Sequence, residues 1–218
     1  MNNKNANIFS FILPLILLSA LMTTALINYP IVFDKAKSAV ITIIIVIIIY
    51  TLLWILFRPD NFSKNGGLLI GFLFIVNISI EEFIDWQTKT STLVSTFTMM
   101  FLIFITFSIL SAIKTIKTQD ILQGIRSSFL SAILGTLIAL CFGFFIDFAF
   151  SNRMVQTLTN YPGFNNFDDP RAFTFYNSFD NASSHVIVAP IISVIMGSAG
   201  GAVALMILKH KKRKQAST

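Results

Sequence analysis

The stretch ITIIIVIIIY, residues 41–50, decides the fold of this chain. Its β-branched residues are common in strands, but it lies within 38–57, a segment of about 20 uncharged residues, which is the length that spans a membrane as a helix. Lipid offers no hydrogen bonds to the backbone, so only helices and closed barrels can cross it. The sequence lacks the alternating pattern of barrel strands. The stretch therefore predicts a membrane-spanning helix.

The rest of the chain has the same character. Of its 218 residues, 55% are hydrophobic and only 12% are charged, whereas a soluble domain carries about 25% charged residues. We predict an all-α, polytopic membrane protein with one six-helix domain over residues 1–208 and a basic cytoplasmic tail at 209–218. The six predicted transmembrane segments are 8–28, 38–57, 67–84, 92–113, 127–150 and 186–208.

The first segment and the single cysteine each allow a second interpretation. The first segment follows Lys4 and could be a signal peptide, but it has about 20 apolar residues and no small-residue cleavage site before NYP, so we interpret it as a retained anchor. The single cysteine, Cys141, cannot form an internal disulfide. We interpret it as a small core residue.

The distribution of basic residues predicts the orientation. Six spans put both termini on one side, and the cytoplasmic side of a membrane protein carries an excess of Lys and Arg. With the termini inside, eleven basic residues are cytoplasmic and five are not. We therefore predict that the chain lies in the plasma (inner) membrane with both termini in the cytoplasm. The eleven are Lys4, Arg58, Lys64, Lys114, Lys117, Arg126, Lys209, Lys211, Lys212, Arg213 and Lys214.

Acidic residues concentrate on the opposite side, above all in NISIEEFIDW, residues 77–86. Asn77, Glu81 and Asp85 are four residues apart and share one helix face. They form a polar stripe that reaches from the predicted outer surface into the membrane. The alternative is that the helix simply ends here and the carboxylates are hydrated. Ionisable residues within a membrane are otherwise candidates for a functional site.

The fifth and sixth segments carry small residues at spacing four, which lets helices approach closely in lipid. If Gly143 lies opposite Ala189, then Asp147 and His185 come to the same depth near the outer face. We therefore predict a binding pocket formed by Asn77, Glu81, Asp85, Asp147 and His185. The predicted close-packing positions are Gly135, Gly143, Gly197 and Gly201.

The connection at 151–185 is predicted to be a long extracytoplasmic loop. Loops of more than about 12–15 residues are usually functional or disordered. Seven aromatic residues argue against disorder, so we expect the loop to cover the outer mouth or to lie along the interface. Within it, SFDNASSH resembles a helix entrance. The aromatic residues are Tyr161, Phe164, Phe167, Phe173, Phe175, Tyr176 and Phe179.

Three functional classes fit this pattern. The first is a small transporter-like membrane protein that binds a cation or a cationic substrate in an acidic, outward-facing pocket. The second is a non-catalytic accessory subunit that assembles with a membrane-protein partner or with itself. The third is a metal-dependent hydrolase or transferase at the outer leaflet, which is disfavoured because zinc sites usually use several His or Cys. The sequence shows no nucleic-acid motif, and it identifies the lipid bilayer as a partner but no cofactor.

Overall fold

The computed structural model describes residues 3–83, 89–158 and 163–216, and within these ranges the chain is helical, without strands. A short 3₁₀ helix, Phe164–Asn166, lies between the last two α-helices. The eight α-helices are α1 (Asn3–Asn28), α2 (Pro30–Lys35), α3 (Lys37–Phe57), α4 (Asn61–Phe83), α5 (Lys89–Thr118), α6 (Ile121–Ala149), α7 (Ser151–Leu158) and α8 (Pro170–Ala216).

Six of these helices, α1, α3, α4, α5, α6 and α8, are long and apolar enough to cross a membrane. The prediction of an all-α fold is therefore confirmed for the described residues, which include six helices able to span a membrane by their length and composition. Most isoleucines of α3 are exposed in the isolated chain, among them Ile44 and Ile48. Contact with hydrocarbon would cover such a surface. The chain is accordingly a multi-pass membrane protein.

Three helices begin earlier than hydropathy predicts, because an aspartate caps each of them. The Asp60 carboxylate accepts the backbone N–H of Ser63 at 2.9 Å at the start of α4. Asp120 accepts the backbone N–H of Leu122 in α6, and Asp169 accepts that of Arg171 in α8. A capping carboxylate satisfies a backbone N–H that has no partner within its helix. For this reason the first turns of these helices are helical although they are polar.

The segment 151–185 differs from the predicted long loop, because most of it is helical. It contains α7, the 3₁₀ helix and the first four turns of α8. The helix entrance predicted at SFDNASSH lies inside α8, which starts at Pro170, a favoured residue type for the first helical position. With 47 residues, α8 is about 70 Å long, more than twice the thickness of the hydrocarbon core. Only part of α8 is therefore needed to span the hydrocarbon core.

The basic tail predicted at 209–218 continues α8 to Ala216 as an exposed helix. It is not wholly isolated, because the Lys212 ammonium donates to the Gln119 side chain, between α5 and α6, at 3.0 Å. The chain divides into two compact units, unit 1 (Met1–Phe57 and Leu137–Ile187) and unit 2 (Arg58–Thr136 and Val188–Thr218). Helices α6 and α8 contribute residues to both units. The predicted single domain over residues 1–208 stays a prediction.

In unit 1, aromatic side chains of α8 form much of the core. Phe175 is buried and stacks with Tyr29 at 5.1 Å between ring centroids, and Phe148 packs on its ring at 4.6 Å. Phe179 is fully buried and meets Phe144 edge to face at 4.9 Å. Burying large rings stabilises a fold strongly. This burial explains why the aromatic segment is helical instead of forming a loop.

A proline in α8 leaves one backbone carbonyl without its usual donor, and a tyrosine supplies another. Pro190 has no N–H, so the carbonyl of Val186 loses the hydrogen bond that residue i+4 normally donates. The Tyr50 hydroxyl of α3 donates to this carbonyl instead. Tyr50 and Val186 are both buried. The bond fixes α3 to α8 within unit 1 and satisfies a group that water cannot reach.

Unit 2 has an apolar core made by α4, α5 and α6. Its buried residues are Ile70, Ile103, Phe107, Leu110 and Ala132. Partly buried residues of α4, α5 and α8 pack around this core. Beside it, buried serines join the helices: Ser128 of α6 donates to the backbone carbonyls of Phe107 and Ser193, each at 3.2 Å.

Three of the four predicted packing glycines lie close to a neighbouring helix in unit 2. A Cβ added at Gly135 would lie 2.5 Å from Ile70 Cγ2, one at Gly197 would lie 3.1 Å from Ser128 Cβ, and one at Gly201 would lie 2.7 Å from Ile121 Cγ1. Gly135 therefore approaches α4, whereas Gly197 and Gly201 approach α6. The partners differ because Gly135 belongs to α6, whereas Gly197 and Gly201 belong to α8.

A Cβ added at Gly143 would meet no described atom within 4 Å, so close packing at this position stays a prediction. In unit 1, Phe144 meets Phe179, and Ser178 contacts Asp147. Gly143 is therefore level with residues near 180, more than two helical turns before Ala189. Hydropathy cannot fix this register, because the helix that supplies the aromatic core begins at residue 170.

Candidate functional site

The predicted polar stripe on α4 contains one well-defined contact. The side-chain amide of Asn77 donates through Nδ2 to Glu81 Oε1 at 3.0 Å. A carboxylate only accepts hydrogen bonds, so the contact fixes the amide with its nitrogen toward Glu81. The Asn77 oxygen, Oδ1, must then point elsewhere. It is buried and has no hydrogen-bond donor within the described residues.

The two ends of this pair differ in environment. Asn77 is 6% exposed, whereas Glu81 is exposed. The pair therefore joins a surface carboxylate to a buried carbonyl oxygen one helical turn away. A buried acceptor without a donor costs about 1–3 kcal/mol. Such a group suits a bound cation or an ordered water. Asp85, the third member of the stripe, lies outside the described residues.

Asp147 of α6 is buried in unit 1, where its Oδ2 accepts the hydroxyl of Ser178 at 2.5 Å. His185 of α8 is exposed and follows Ser178 by seven residues, about 10 Å along the helix axis. The predicted pairing of Asp147 with His185 stays a prediction. Of the predicted pocket residues, Asn77 and Glu81 are in contact in unit 2, and Asp147 and His185 belong to unit 1.

A second polar cluster, which the sequence analysis did not identify, lies in unit 2. It surrounds a cleft of about 80 Å³ at the start of α4, the end of α5 and the start of α6. We call this the basic cleft, because three of its lining side chains are basic and one is acidic. Its lining residues are Arg58, Pro59, Asp60, Ser63, Lys114, Gln123, Arg126, Ser127 and Leu130.

Asp60 accepts several hydrogen bonds in the basic cleft. Its Oδ1 accepts the hydroxyl of Ser63 at 2.7 Å as well as the backbone N–H, and its Oδ2 pairs with the Lys114 ammonium. Partial burial raises the pKa of the Asp60 carboxyl, but the bonds from Lys114 and Ser63 outweigh this effect, so that the pKa lies below its ordinary value. Asp60 is thus ionised at neutral pH, with Lys114 compensating its charge.

Lys64 follows Ser63 in α4 and is 6% exposed. Its ammonium has no hydrogen-bond partner among the described residues, although the charge of Asp60 attracts it. Lysine is almost never fully buried unless it is paired. The beginning of α4 therefore holds a buried positive charge that the described side chains only partly compensate.

Hydroxyl groups extend from the basic cleft into the core of unit 2. The Ser63 and Ser127 hydroxyls are 2.9 Å apart, and Ser131 donates to the backbone carbonyl of Ser63 at 2.8 Å. Deeper in the core, the Thr136 hydroxyl is buried without a hydrogen-bond partner in the described part of the chain. Serine and threonine often join helices in lipid, each bond contributing about 0.6 kcal/mol on average. Helix association explains the bonds of Ser63, Ser127 and Ser131, but not the Thr136 hydroxyl.

The described residues contain no group of three or more His, Cys, Asp or Glu side chains that could hold a metal ion. Asp85 is not among these residues. Cys141, predicted to be a core residue, is a buried free thiol that donates to the carbonyl of Pro14 in unit 1 at 3.0 Å. Comparison with protein-family models, with curated proteins and with solved structures found no match for this chain.

Proposed function

We propose that this chain is a small transporter-like membrane protein that binds a cation, or a cationic substrate, at Asn77 and Glu81. The observation that carries the proposal is the buried Asn77 Oδ1, which has no donor in the described residues and lies one turn from a carboxylate. Carbonyl and carboxylate oxygens are the ligands that hard cations such as Ca²⁺ prefer. A cation would satisfy Oδ1 and be attracted by the Glu81 charge.

The two residues have different roles in this proposal. Glu81, at the exposed end of the pair, supplies the negative charge that attracts the ion. Asn77, one turn deeper, supplies a neutral ligand, and its Nδ2 bond to Glu81 keeps Oδ1 available. A polar pair that extends from the surface into a spanning helix is expected of an ion pathway and is costly as a purely structural feature.

The proposal extends to Asp85, which by its spacing in the sequence continues the stripe of Asn77 and Glu81. Asp147, a buried carboxylate of unit 1 that accepts the Ser178 hydroxyl, and the exposed His185 are tested separately from the pair on α4. The substitution Asp147→Asn asks whether this carboxylate contributes to cation binding.

The test is a thermal-shift or calorimetric titration of the purified full-length protein with Na⁺, K⁺, Mg²⁺ and Ca²⁺ at pH 5 and pH 8. We expect at least one cation to stabilise the protein, and more strongly at pH 8, where carboxylates are ionised. Glu81→Gln should weaken the binding at least tenfold. Glu82→Gln is the matched control, since residue 82 points about 100° away from Glu81 around the helix. If no cation stabilises the protein at either pH, the proposal fails, and the accessory-subunit hypothesis takes its place.

The proposal includes a plasma-membrane location with both termini in the cytoplasm, so that Glu81 faces outward. Its support is the distribution of Lys and Arg, with eleven on the predicted inner side and five on the outer side. Single cysteines at Asn166 and at Lys211, both exposed in the structure, test this orientation in a Cys141→Ser background. An impermeant thiol reagent should label residue 166 in intact cells and residue 211 only after lysis. The opposite pattern would reverse the orientation.

A further inference from the structure

We propose that the basic cleft of unit 2 binds a phosphate-bearing anion, either a phospholipid headgroup or free phosphate. The proposal is independent of the cation site at Asn77 and Glu81, because it concerns other residues and a ligand of opposite charge. Four features of the cleft support it: its charge, a buried lysine, the backbone of one arginine and its size.

The charge of the lining residues favours an anion. Arg58, Lys114 and Arg126 are basic, and Asp60 is the one acid among the lining residues. Three basic residues against one acid give the lining a positive formal charge, although Lys114 is paired with Asp60. A guanidinium presents several N–H donors in a planar fork that matches two phosphate oxygens at once. Gln123 and Ser127 add neutral side chains able to donate hydrogen bonds.

Lys64 is the second and independent observation. Its side chain is more than nine-tenths buried, and its ammonium has no hydrogen-bond partner in the described ranges. Lys64 does not itself line the cleft, but its neighbour Ser63 does, and Asp60, whose charge acts on Lys64, is paired with Lys114. Burying a positive charge is costly unless an opposite charge is near. An anion beside Ser63 and Asp60 would add negative charge at this end of α4.

The backbone of Arg58 is the third observation. Arg58 follows the last residue of α3 and has a φ of +45°. This left-handed conformation is the usual end of a helix, and glycine is the residue that adopts it without strain. Glycine would therefore adopt this backbone conformation with less strain than arginine. We attribute the presence of arginine here to the role of its side chain in lining the cleft.

The size of the cleft fits a small anion. On the same measure, about 10–15 Å³ is needed for one water, so a cleft of about 80 Å³ accommodates a group of five heavy atoms such as phosphate. Basic pockets between spanning helices on the cytoplasmic side are a known way of binding anionic headgroups. The basic cleft lies on the side that the Lys and Arg distribution predicts to be cytoplasmic.

The experiment compares three forms of the full-length protein: wild type, Arg58→Gly and Lys211→Gln. Each variant removes one positive charge, but Lys211 is an exposed residue of the tail and does not line the cleft. Arg58→Gly is chosen because glycine suits the backbone at this position, so that the variant folds. Arg126→Gln serves as a second variant within the cleft.

In the first arm, the midpoint of thermal unfolding in detergent is measured against inorganic phosphate, with chloride at the same ionic strength as reference. In the second arm, the protein is placed in nanodiscs of phosphatidylcholine with or without phosphatidylglycerol. If the cleft takes free phosphate, phosphate stabilises the wild type more than chloride does. If it takes a headgroup, phosphatidylglycerol stabilises it more than phosphatidylcholine alone.

In either arm, Arg58→Gly and Arg126→Gln should reduce the apparent affinity at least tenfold, and Lys211→Gln should leave it within twofold of wild type. The proposal is overturned if neither phosphate nor phosphatidylglycerol stabilises the wild type. It is also overturned if the folded Arg58→Gly protein responds as the wild type does, or if Lys211→Gln loses as much as Arg58→Gly. None of these outcomes bears on cation binding at Glu81, which is measured with different probes.

Discussion

The hydrogen bond from Tyr50 to the Val186 carbonyl makes a prediction about why α8 tolerates a proline within a membrane span. Replacing Tyr50 by Phe removes only the hydroxyl and leaves the ring, so no large cavity forms. The Val186 carbonyl then has no donor: Pro190 offers no N–H, and the Tyr50 hydroxyl is gone. Since Val186 is 1% exposed, water cannot easily replace the lost donor.

The expected loss follows from the burial of this carbonyl. A buried acceptor left without a partner costs about 1–3 kcal/mol, whereas single hydrogen bonds between membrane helices average about 0.6 and reach about 1.7 kcal/mol. We therefore expect Tyr50→Phe to lower the free energy of unfolding by about 1–2 kcal/mol. In a Pro190→Ala background, the new N–H at residue 190 bonds the Val186 carbonyl. There, Tyr50→Phe should cost less than about 0.5 kcal/mol.

The assay is a double-mutant cycle on the purified protein. Reversible unfolding in mixed micelles, with increasing sodium dodecyl sulfate, gives the free energy for the wild type, both single variants and the double variant. The coupling between Tyr50 and Pro190 should be about 1 kcal/mol. If Tyr50→Phe costs the same in both backgrounds, the tyrosine does not compensate for the proline. If it costs nothing in the wild type, the carbonyl does not need a donor.

Two further predictions concern packing and charge. Gly200→Ala should destabilise the protein by about 1–3 kcal/mol, because the added Cβ would clash with the backbone carbonyl of Ser108. Gly143→Ala should be neutral or slightly stabilising, since its Cβ meets no described atom. Equal effects of the two substitutions in thermal unfolding would contradict the packing described. The pKa of Asp60 is lowered in the folded state, so the stability from its pair with Lys114 is present above the ordinary carboxyl pKa of 3.8 and is lost as the pH falls through the lower folded value. Asp60 is 44% exposed, so its contribution to the free energy of unfolding should be within about 1 kcal/mol. Asp60→Asn should remove this part of the pH dependence of stability between pH 2 and 5. The dependence of stability on pH from pH 5 to 8 should stay unchanged.

The sequence alone determined the fold class and the number of spanning helices. This was possible because the length and composition of a run such as 38–57 report directly on whether it can cross hydrocarbon. The starts of α4, α6 and α8 were also within reach of the sequence. Asp60, Asp120 and Asp169 each precede one of these helices, and aspartate is a preferred capping residue, whereas hydropathy detects only the apolar part of each helix.

The tertiary structure decided which residues meet. Arg58, Lys114 and Arg126 are far apart in the sequence, and they line one cleft only because α4, α5 and α6 come together at their ends in unit 2. Spacing along the chain does not record such a meeting, so the basic cleft was missed. The Asn77–Glu81 contact was predictable, because both residues lie on one helix, where the spacing fixes the geometry.

The tertiary structure also decided which neighbouring helix each glycine approaches. Both Gly143 and Gly200 lie within long apolar helices, yet Gly143 has no described atom beside it and Gly200 approaches the backbone of α5. The difference lies in which neighbouring helix each glycine faces, and at what height. Periodicity says which residues share a face of a helix, but contacts between side chains on different helices decide what that face meets.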